Sequence, residues 1–437
     1  MLQSKIIIKS LVLFFFCIVK MNAQELLTIE AATKIALENN YEIKIASNNL
    51  NRDKTNVTTG NAGMLPKVTA SVVDNNGIQN LSQTRADGTV NSLNNAKSSN
   101  LNYGVGLDWT IFNGFKMFAK LDQLKELQKL GETQLKLTIV TKISNLNSVY
   151  FELVSLQQQL IALDTTIEIS NQRLTLAKNR FTIGKASKLE VLNAQVDLNT
   201  DKSNLLRQKE LYANTKIVLN QLMARDSKIN FKVVDVIEVD KSLMLKELFD
   251  LAEKQNPELE TQIINQRISE LQLKQIKGER YPTVNLTSGY VFSESQSGLG
   301  FTTQSSAQGL NYGFRASLNL FDGFEQNRNE KIAEIKIDNA KLAIEQQTQK
   351  LNSQLTAYYQ TYLTNLDLIN LEFENEAIAK QNLEITVDKF QIGTITTLEF
   401  RTAQLNYINA RVNYSNAQFK AKLTEILLKE LAGNLTF

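Results

Sequence analysis

Leu101-Asn-Tyr-Gly-Val-Gly-Leu-Asp-Trp-Thr-Ile-Phe-Asn-Gly-Phe115 decides how this chain is read, because the chain contains it twice. Leu310-Asn-Tyr-Gly-Phe-Arg-Ala-Ser-Leu-Asn-Leu-Phe-Asp-Gly-Phe324 repeats it, displaced by 209 residues (310 − 101). The same displacement carries Phe181-Thr-Ile-Gly184 onto Phe390-Gln-Ile-Gly393, Leu189-Glu190 onto Leu398-Glu399 and Ala194-Gln195 onto Ala403-Gln404. One register held through Gly, Tyr and Phe positions marks an internal repeat rather than chance likeness between Leu-rich helices. Upstream, Asn40 matches Asn256 and Pro66 matches Pro282, now displaced by 216 (256 − 40). The difference falls between Pro66 and Leu101 and predicts a longer loop there in the first copy.

Each copy reads as helix, strand pair, long helix, hairpin turn, helix. In 101–111, Leu101, Tyr103, Val105, Leu107, Trp109 and Ile111 share one face, with Asn102, Gly104, Gly106, Asp108 and Thr110 on the other. A period of two is the mark of a two-faced strand. Leu310, Tyr312, Phe314, Ala316, Leu318 and Leu320 repeat it in the second copy. Val284, Leu286, Tyr290 and Phe292 form the apolar face of the strand before, as Val68, Ala70 and Val72 do more weakly in the first copy. Strand pairs are therefore predicted over 67–112 and 283–321, just after Pro66 and Pro282, where extended chain is favoured. A strand crosses a membrane with about 9–11 residues, and a charge on its polar face meets water rather than lipid. Asp108 and Arg315 both fall on that face.

Between Phe115 and Ile183, apolar residues recur at Ile139, Ile143, Leu146, Tyr150, Leu153, Leu156 and Leu160, in steps of three and four. That is a helix stripe close to a coiled-coil seam. Leu351, Leu355, Tyr358, Tyr362, Leu366 and Ile369 repeat it. A helix of about 68 residues runs roughly 100 Å at 1.5 Å per residue, too long for one compact globule. It must lie against comparable rods, from its own chain or from copies. An ordinary half-buried sheet alternates as a membrane sheet does, but it does not adjoin rods of this length. Four strands are also too few: common membrane barrels use about eight or more, and an open edge cannot persist in hydrocarbon. Other copies must complete the wall.

The N-terminal segment points the same way. Lys5 and Lys9 precede the apolar run Ser10–Val19, and Ala23 offers a small residue at a cleavage point, so 1–23 read as a secretory signal with Gln24 the new N-terminus. A buried N-terminal helix and a lipid-anchored Cys17 are the rival readings; Phe14-Phe-Phe before Cys17 lacks the small residues that lipidation favours. The chain of 437 residues has 48 Lys+Arg against 45 Asp+Glu, no His and a single Cys. Lys5, Lys9 and Lys20 leave with the signal, so the exported chain is formally neutral and carries no nucleic-acid footprint. Without imidazole there is no Ser/His or Cys/His pair and no His metal site. The chain thus divides into an address (1–23), a first repeat (24–235) and a second (236–437), with hairpin turns near 184 and 393. In those turns Gly184 and Gly393 suit a left-handed helix end, and Ser187 or Thr396 can start the next helix.

The repeated order, with Arg180-Phe-Thr-Ile-Gly-Lys-Ala-Ser-Lys-Leu-Glu190, Lys389-Phe-Gln-Ile-Gly-Thr-Ile-Thr-Thr-Leu-Glu399 and the Ala-Gln after each, resembles the TolC-like outer-membrane efflux proteins over essentially all of 24–437. The resemblance implies a long α-helical barrel of coiled coil joined to a membrane β-barrel, four strands per chain closing as a homotrimer into twelve. It implies a bacterial outer-membrane duct reaching through the periplasm, without catalysis or cofactor. Its partners would be a periplasmic adaptor and an inner-membrane transporter, in tripartite efflux or type I secretion. Ile183, Gly184, Lys185, Ile392, Gly393 and Thr394 would dock the adaptor; Glu190, Glu399 and Phe390 would lie at the tunnel constriction. Both Glu residues also read simply as helix N-terminal acids favoured by the dipole. The family often has Asp at these positions, and a second acid where this chain has Thr402. A Tyr–Arg lock found in some members would fall at Phe390 and Ile395, which cannot form it, so apolar packing of Phe390 is the substitute. An exported coiled-coil adhesin or structural fibre is the alternative reading.

Overall fold

The computed structural model describes residues 25–298 and 302–434; the secretory signal expected over 1–23 lies outside the described residues. In chain order the elements are β1 (Glu25–Leu27), α1 (Ile29–Asn39), α2 (Tyr41–Asn56), β2 (Lys67–Thr84), β3 (Val90–Asn113), α3 (Lys116–Thr182), α4 (Lys188–Leu222) and β4 (Phe231–Val233). Then follow α5 (Leu245–Gln255), α6 (Pro257–Gly278), β5 (Thr283–Ser297), β6 (Gln304–Ser317), α7 (Glu325–Ile392) and α8 (Thr397–Leu431). The helices α4 and α8 begin 209 residues apart (397 − 188) and end 209 apart (431 − 222). Two compact units cut across both copies. One takes the described residues up to Ala46 with Lys136–Pro257 and those from Thr348 on; the other takes Ser47–Leu135 and Glu258–Gln347.

The second unit carries a four-stranded antiparallel sheet in the order β2-β3-β5-β6. Its apolar rows meet across the strands: Tyr103 stacks on Phe292 with ring centres 4.9 Å apart, and Trp109 faces Leu286. The strands run 14 to 24 residues, longer than a bare membrane crossing. The predicted long loop of the first copy is not a loop. β2 and β3 pair from Lys67↔Asp108 to Thr84↔Val90 and turn only at Arg85–Thr89. Asn80 bridges the irregularity in this ribbon by accepting the Asn95 N–H at 2.8 Å. Both faces there are rich in Asn, Gln and Ser, so no alternation announces a strand. Leu318 and Leu320, expected on a strand face, lie beyond β6. Its partner β5 begins at Thr283, opposite Ser317, and leaves them nothing to pair with. At the strand–helix junction Gly114 has φ 68°, and a Cβ there would collide with the Gly278 carbonyl. Gly is therefore required at this crossing.

The first unit is helical around a core that includes Leu146, Leu153, Leu219, Met223 and Ile426. A two-stranded parallel sheet, β1 with β4, closes one side, tied down by the Tyr150 hydroxyl, which donates to the Leu27 carbonyl at 2.9 Å. The matched pair Asn40 and Asn256 does equivalent work twice. Each side-chain amide donates at 2.9 Å to the last carbonyl of a long helix, Leu222 or Leu431. Those carbonyls have no partner within their own helix, so each Asn joins the end of a long helix to the helical start of its own copy. The linker before α5 is fixed by Asp240. Its carboxylate accepts from Ser242 and from Lys429, which holds its pKa down at about 2.

Candidate functional site

Two regions are candidates: the open sheet and the two hairpin turns. The sheet ends in unpaired edges, β2 on one side and β6 on the other. On β6, Leu310, Tyr312 and Phe314 are exposed, the last two by 83% and 78%. An apolar row of this size cannot face water in a finished protein. No described helix is long and apolar enough to cross a membrane.

The turns lie in the first unit. Each long helix ends in a left-handed glycine, Gly184 at φ 75° and Gly393 at φ 81°, and neither would meet a close neighbour on gaining a Cβ. In the first turn the Ser187 hydroxyl accepts the Glu190 N–H at 3.2 Å. The Glu190 carboxylate lies 3.6 Å from the Arg180 guanidinium. In the second turn Thr396 and Glu399 form a full capping box: Thr396 Oγ accepts the Glu399 N–H, and Glu399 Oε2 accepts the Thr396 N–H at 2.7 Å. That backbone donor, then the Thr396 hydroxyl, lowers the Glu399 pKa below the ordinary carboxylate range. Lys185 and Thr394 are exposed, and their amides close the turns on the Arg180 and Lys389 carbonyls. Ile183 and Ile392 stand out at 64% and 76% exposure.

Phe390 is buried, 2% exposed, with its ring 4.8 Å from that of Phe400 and the Arg180 guanidinium over its face. Arg180 thereby joins Phe390 to Glu190, whereas Glu399 is committed to its own helix cap. Beside Phe390 a cleft of about 570 Å³ opens between α3 and α7, lined by Gln172, Arg173, Thr175, Val387 and Gln391. Ile395 is half-buried and Thr402 exposed.

Sequence reasoning missed a buried polar cluster above these turns. Arg401 of α8 donates to both carboxylate oxygens of Asp201 on α4 at 2.9 Å, and its Nε lies 3.7 Å from Asp197. Ser170 of α3 donates to Asp201 at 2.6 Å and accepts from Gln404 of α8 at 2.7 Å. Arg173 of α3 completes it at 2.7 Å from Asp197. Asp201, Ser170, Arg173 and Gln404 are all buried. Nothing local flags these residues, because Arg401 and Asp201 are 200 positions apart.

A wide antiparallel sheet with open edges, set in a chain with helices 67 and 68 residues long, is the architecture of an outer-membrane efflux protein. The chain belongs to the outer membrane efflux protein family, whose model matches residues 32–225 and 248–434. It is 21% identical over 386 residues to the outer membrane protein TolC of Escherichia coli K12, covering 80% of this chain and 78% of that one. Its TolC counterpart in Vibrio cholerae is 20% identical, covering 73% and 74%. The fold is that of the outer-membrane channel OprN (TM-score 0.77, 16% identity, 93% of this chain and 90% of that one). It is equally that of the Campylobacter jejuni CmeC channel (TM-score 0.76, 18% identity, 93% and 85%). OprN and CmeC are outer-membrane channels, and this chain is, by family, an outer membrane efflux protein.

Proposed function

We propose that this protein is the passive duct of a tripartite efflux or type I secretion machine, spanning from the outer membrane into the periplasm. Three copies supply four strands each to one twelve-stranded barrel, and their long helices continue it as a tunnel. The observation that carries this reading is the open sheet, whose edge strand β6 exposes Leu310, Tyr312 and Phe314. Pairing β6 with β2 of the next copy satisfies the edge backbone and turns that apolar row to lipid.

The turns are the docking end. Ile183, Gly184, Lys185, Ile392, Gly393 and Thr394 receive a periplasmic adaptor, which links the duct to an inner-membrane pump. The exposed isoleucines favour this, since helix tips without a partner have no reason to present them. Glu190 and Glu399 set the charge at the tunnel constriction, and Phe390 keeps that end narrow by packing on Phe400.

The test is assembly and conductance. Protein extracted from outer membranes is expected to cross-link as a trimer and to conduct ions in planar bilayers. Ile183→Asp with Ile392→Asp should abolish export by cells while trimer and conductance persist. A water-soluble monomer would overturn the duct; undiminished export by the double variant would overturn the docking assignment.

A further inference from the structure

The polar face of the sheet is almost bare of charge. It lies opposite the row of Tyr103, Phe292 and Phe314 and alternates with it through 67–79, 98–110, 283–295 and 305–317. On that face these stretches place mostly Gly, Ser, Thr and Asn, and only Lys67, Asp108 and Arg315 are ionic. Lys67 stands directly opposite Asp108, so the two fields offset one another. Arg315 has no such counterpart. Asn285 is opposite it on β5 and is engaged by the Thr110 hydroxyl at 2.8 Å, while Gly313 and Ser317 flank it on β6. Its side chain is exposed. In the first copy the matched position is Gly106 (315 − 209), which faces Gly289, so the backbone does not call for a cation here.

Closing the barrel does not supply an acid either. The β3–β5 register sets Gly106 against Gly289. Carried by the repeat onto the seam between β6 and the next copy's β2, it sets Arg315 against Val73 of that copy (289 − 216). A lone charge on a low-dielectric wall projects its field into the water beside it, over about 8 Å at 0.15 M salt. Resting on the barrel reading above, we propose that Arg315 sets the charge preference of the barrel. Its three copies form a cationic ring on the inner wall, near the end where β6 runs on towards α7. The ring draws anionic solutes into the duct and holds cationic ones back.

The test uses the full-length protein in outer-membrane fragments, with added cysteines as reporters of local potential. The only Cys in the sequence, Cys17, lies in the expected secretory signal, and wild-type protein serves as the blank. Gly313→Cys and Gly309→Cys each put a thiol on the inner wall, and neither glycine would meet a neighbour within 4 Å on gaining a Cβ. At about 3.4 Å per residue they lie roughly 7 Å and roughly 20 Å along β6 from Arg315. Each is reacted with an anionic (sulfonatoethyl) and a cationic (trimethylammonioethyl) methanethiosulfonate. Arg315→Gln should lower the anionic-to-cationic rate ratio at Gly313→Cys at least about threefold and leave it nearly unchanged at Gly309→Cys. Arg315→Lys should keep the bias. Raising salt to about 1 M, where the field reaches only about 3 Å, should erase it without any change at Arg315. A ratio at Gly313→Cys that ignores both Arg315→Gln and salt overturns the proposal, as does an equal fall at both reporters. Should neither cysteine react in the membrane, the polar face is no water-filled lumen; the duct reading then falls, and this proposal with it.

Discussion

The two hairpin turns carry nearly the same sequence and are held in different ways. Both end a long helix with a left-handed glycine and start the next with a hydroxyl cap. In the second turn the phenylalanine, Phe390, is buried against Phe400. In the first, Phe181 is 43% exposed, and Val191 stands where Phe400 would be. The acids diverge as well, Glu190 towards Arg180 and Glu399 into its capping box. Repetition has kept what the backbone requires and let the side-chain packing drift. That leaves two unlike halves at the end where a partner would dock.

The largest way to break this comparison is to remove both aromatics in turn. Truncating a fully buried Phe costs about 3–5 kcal/mol, while an exposed one costs roughly 0.5 kcal/mol or less. Phe390→Ala should lower the local opening free energy of the α7–α8 turn by about 3 kcal/mol, and Phe181→Ala should leave the α3–α4 turn nearly unchanged. Amide hydrogen exchange over each turn reads this directly. Equal effects at the two sites would show that the packing asymmetry has no energetic weight.

The glycines sharpen the comparison from the other side. A left-handed residue with a Cβ costs about 1–2 kcal/mol, and neither Gly184 nor Gly393 has a close neighbour to add to it. Gly184→Ala and Gly393→Ala should therefore destabilise their turns by the same amount, about 1 kcal/mol each by exchange. A difference would mean the two backbones are not equivalent.

The backbone-level features were legible in advance, and the packing was not. The period-two rows around Tyr103 and Tyr312, the stripes through Leu146 and Leu355 and the 209-residue displacement each lie in a short window. The helix bounds follow from them almost to the residue. The turn glycines and caps were legible for the same reason. The β2–β3 ribbon was hidden because an Asn- and Ser-rich strand with two polar faces gives no alternation. β1 and β4 are three residues each and pair across about 200 positions. Asp201 and Arg401 became partners only once α4 and α8 were side by side. The burial of Phe390 depended on Phe400, one turn into the next helix.

Caps and acids give the smallest effects. Replacing an N-cap hydroxyl by Ala costs about 1 kcal/mol, so Thr396→Ala should loosen the second turn by about that much. Ser187→Ala should do less to the first, where the box is not reciprocal. The acid limb of the box adds a pH signature. Folding lowers the Glu399 pKa, so its contribution is fully present above the ordinary Glu value of about 4.3 and is lost as pH falls through the lowered one. Exchange in the second turn, corrected for intrinsic rates, should therefore quicken on acidification below that range. Glu399→Gln keeps an acceptor for the Thr396 N–H but cannot titrate there, so it should flatten this dependence at a slightly reduced stability. A variant whose acid response matched the wild type would place the titrating group elsewhere and leave the second turn's cap with no electrostatic part.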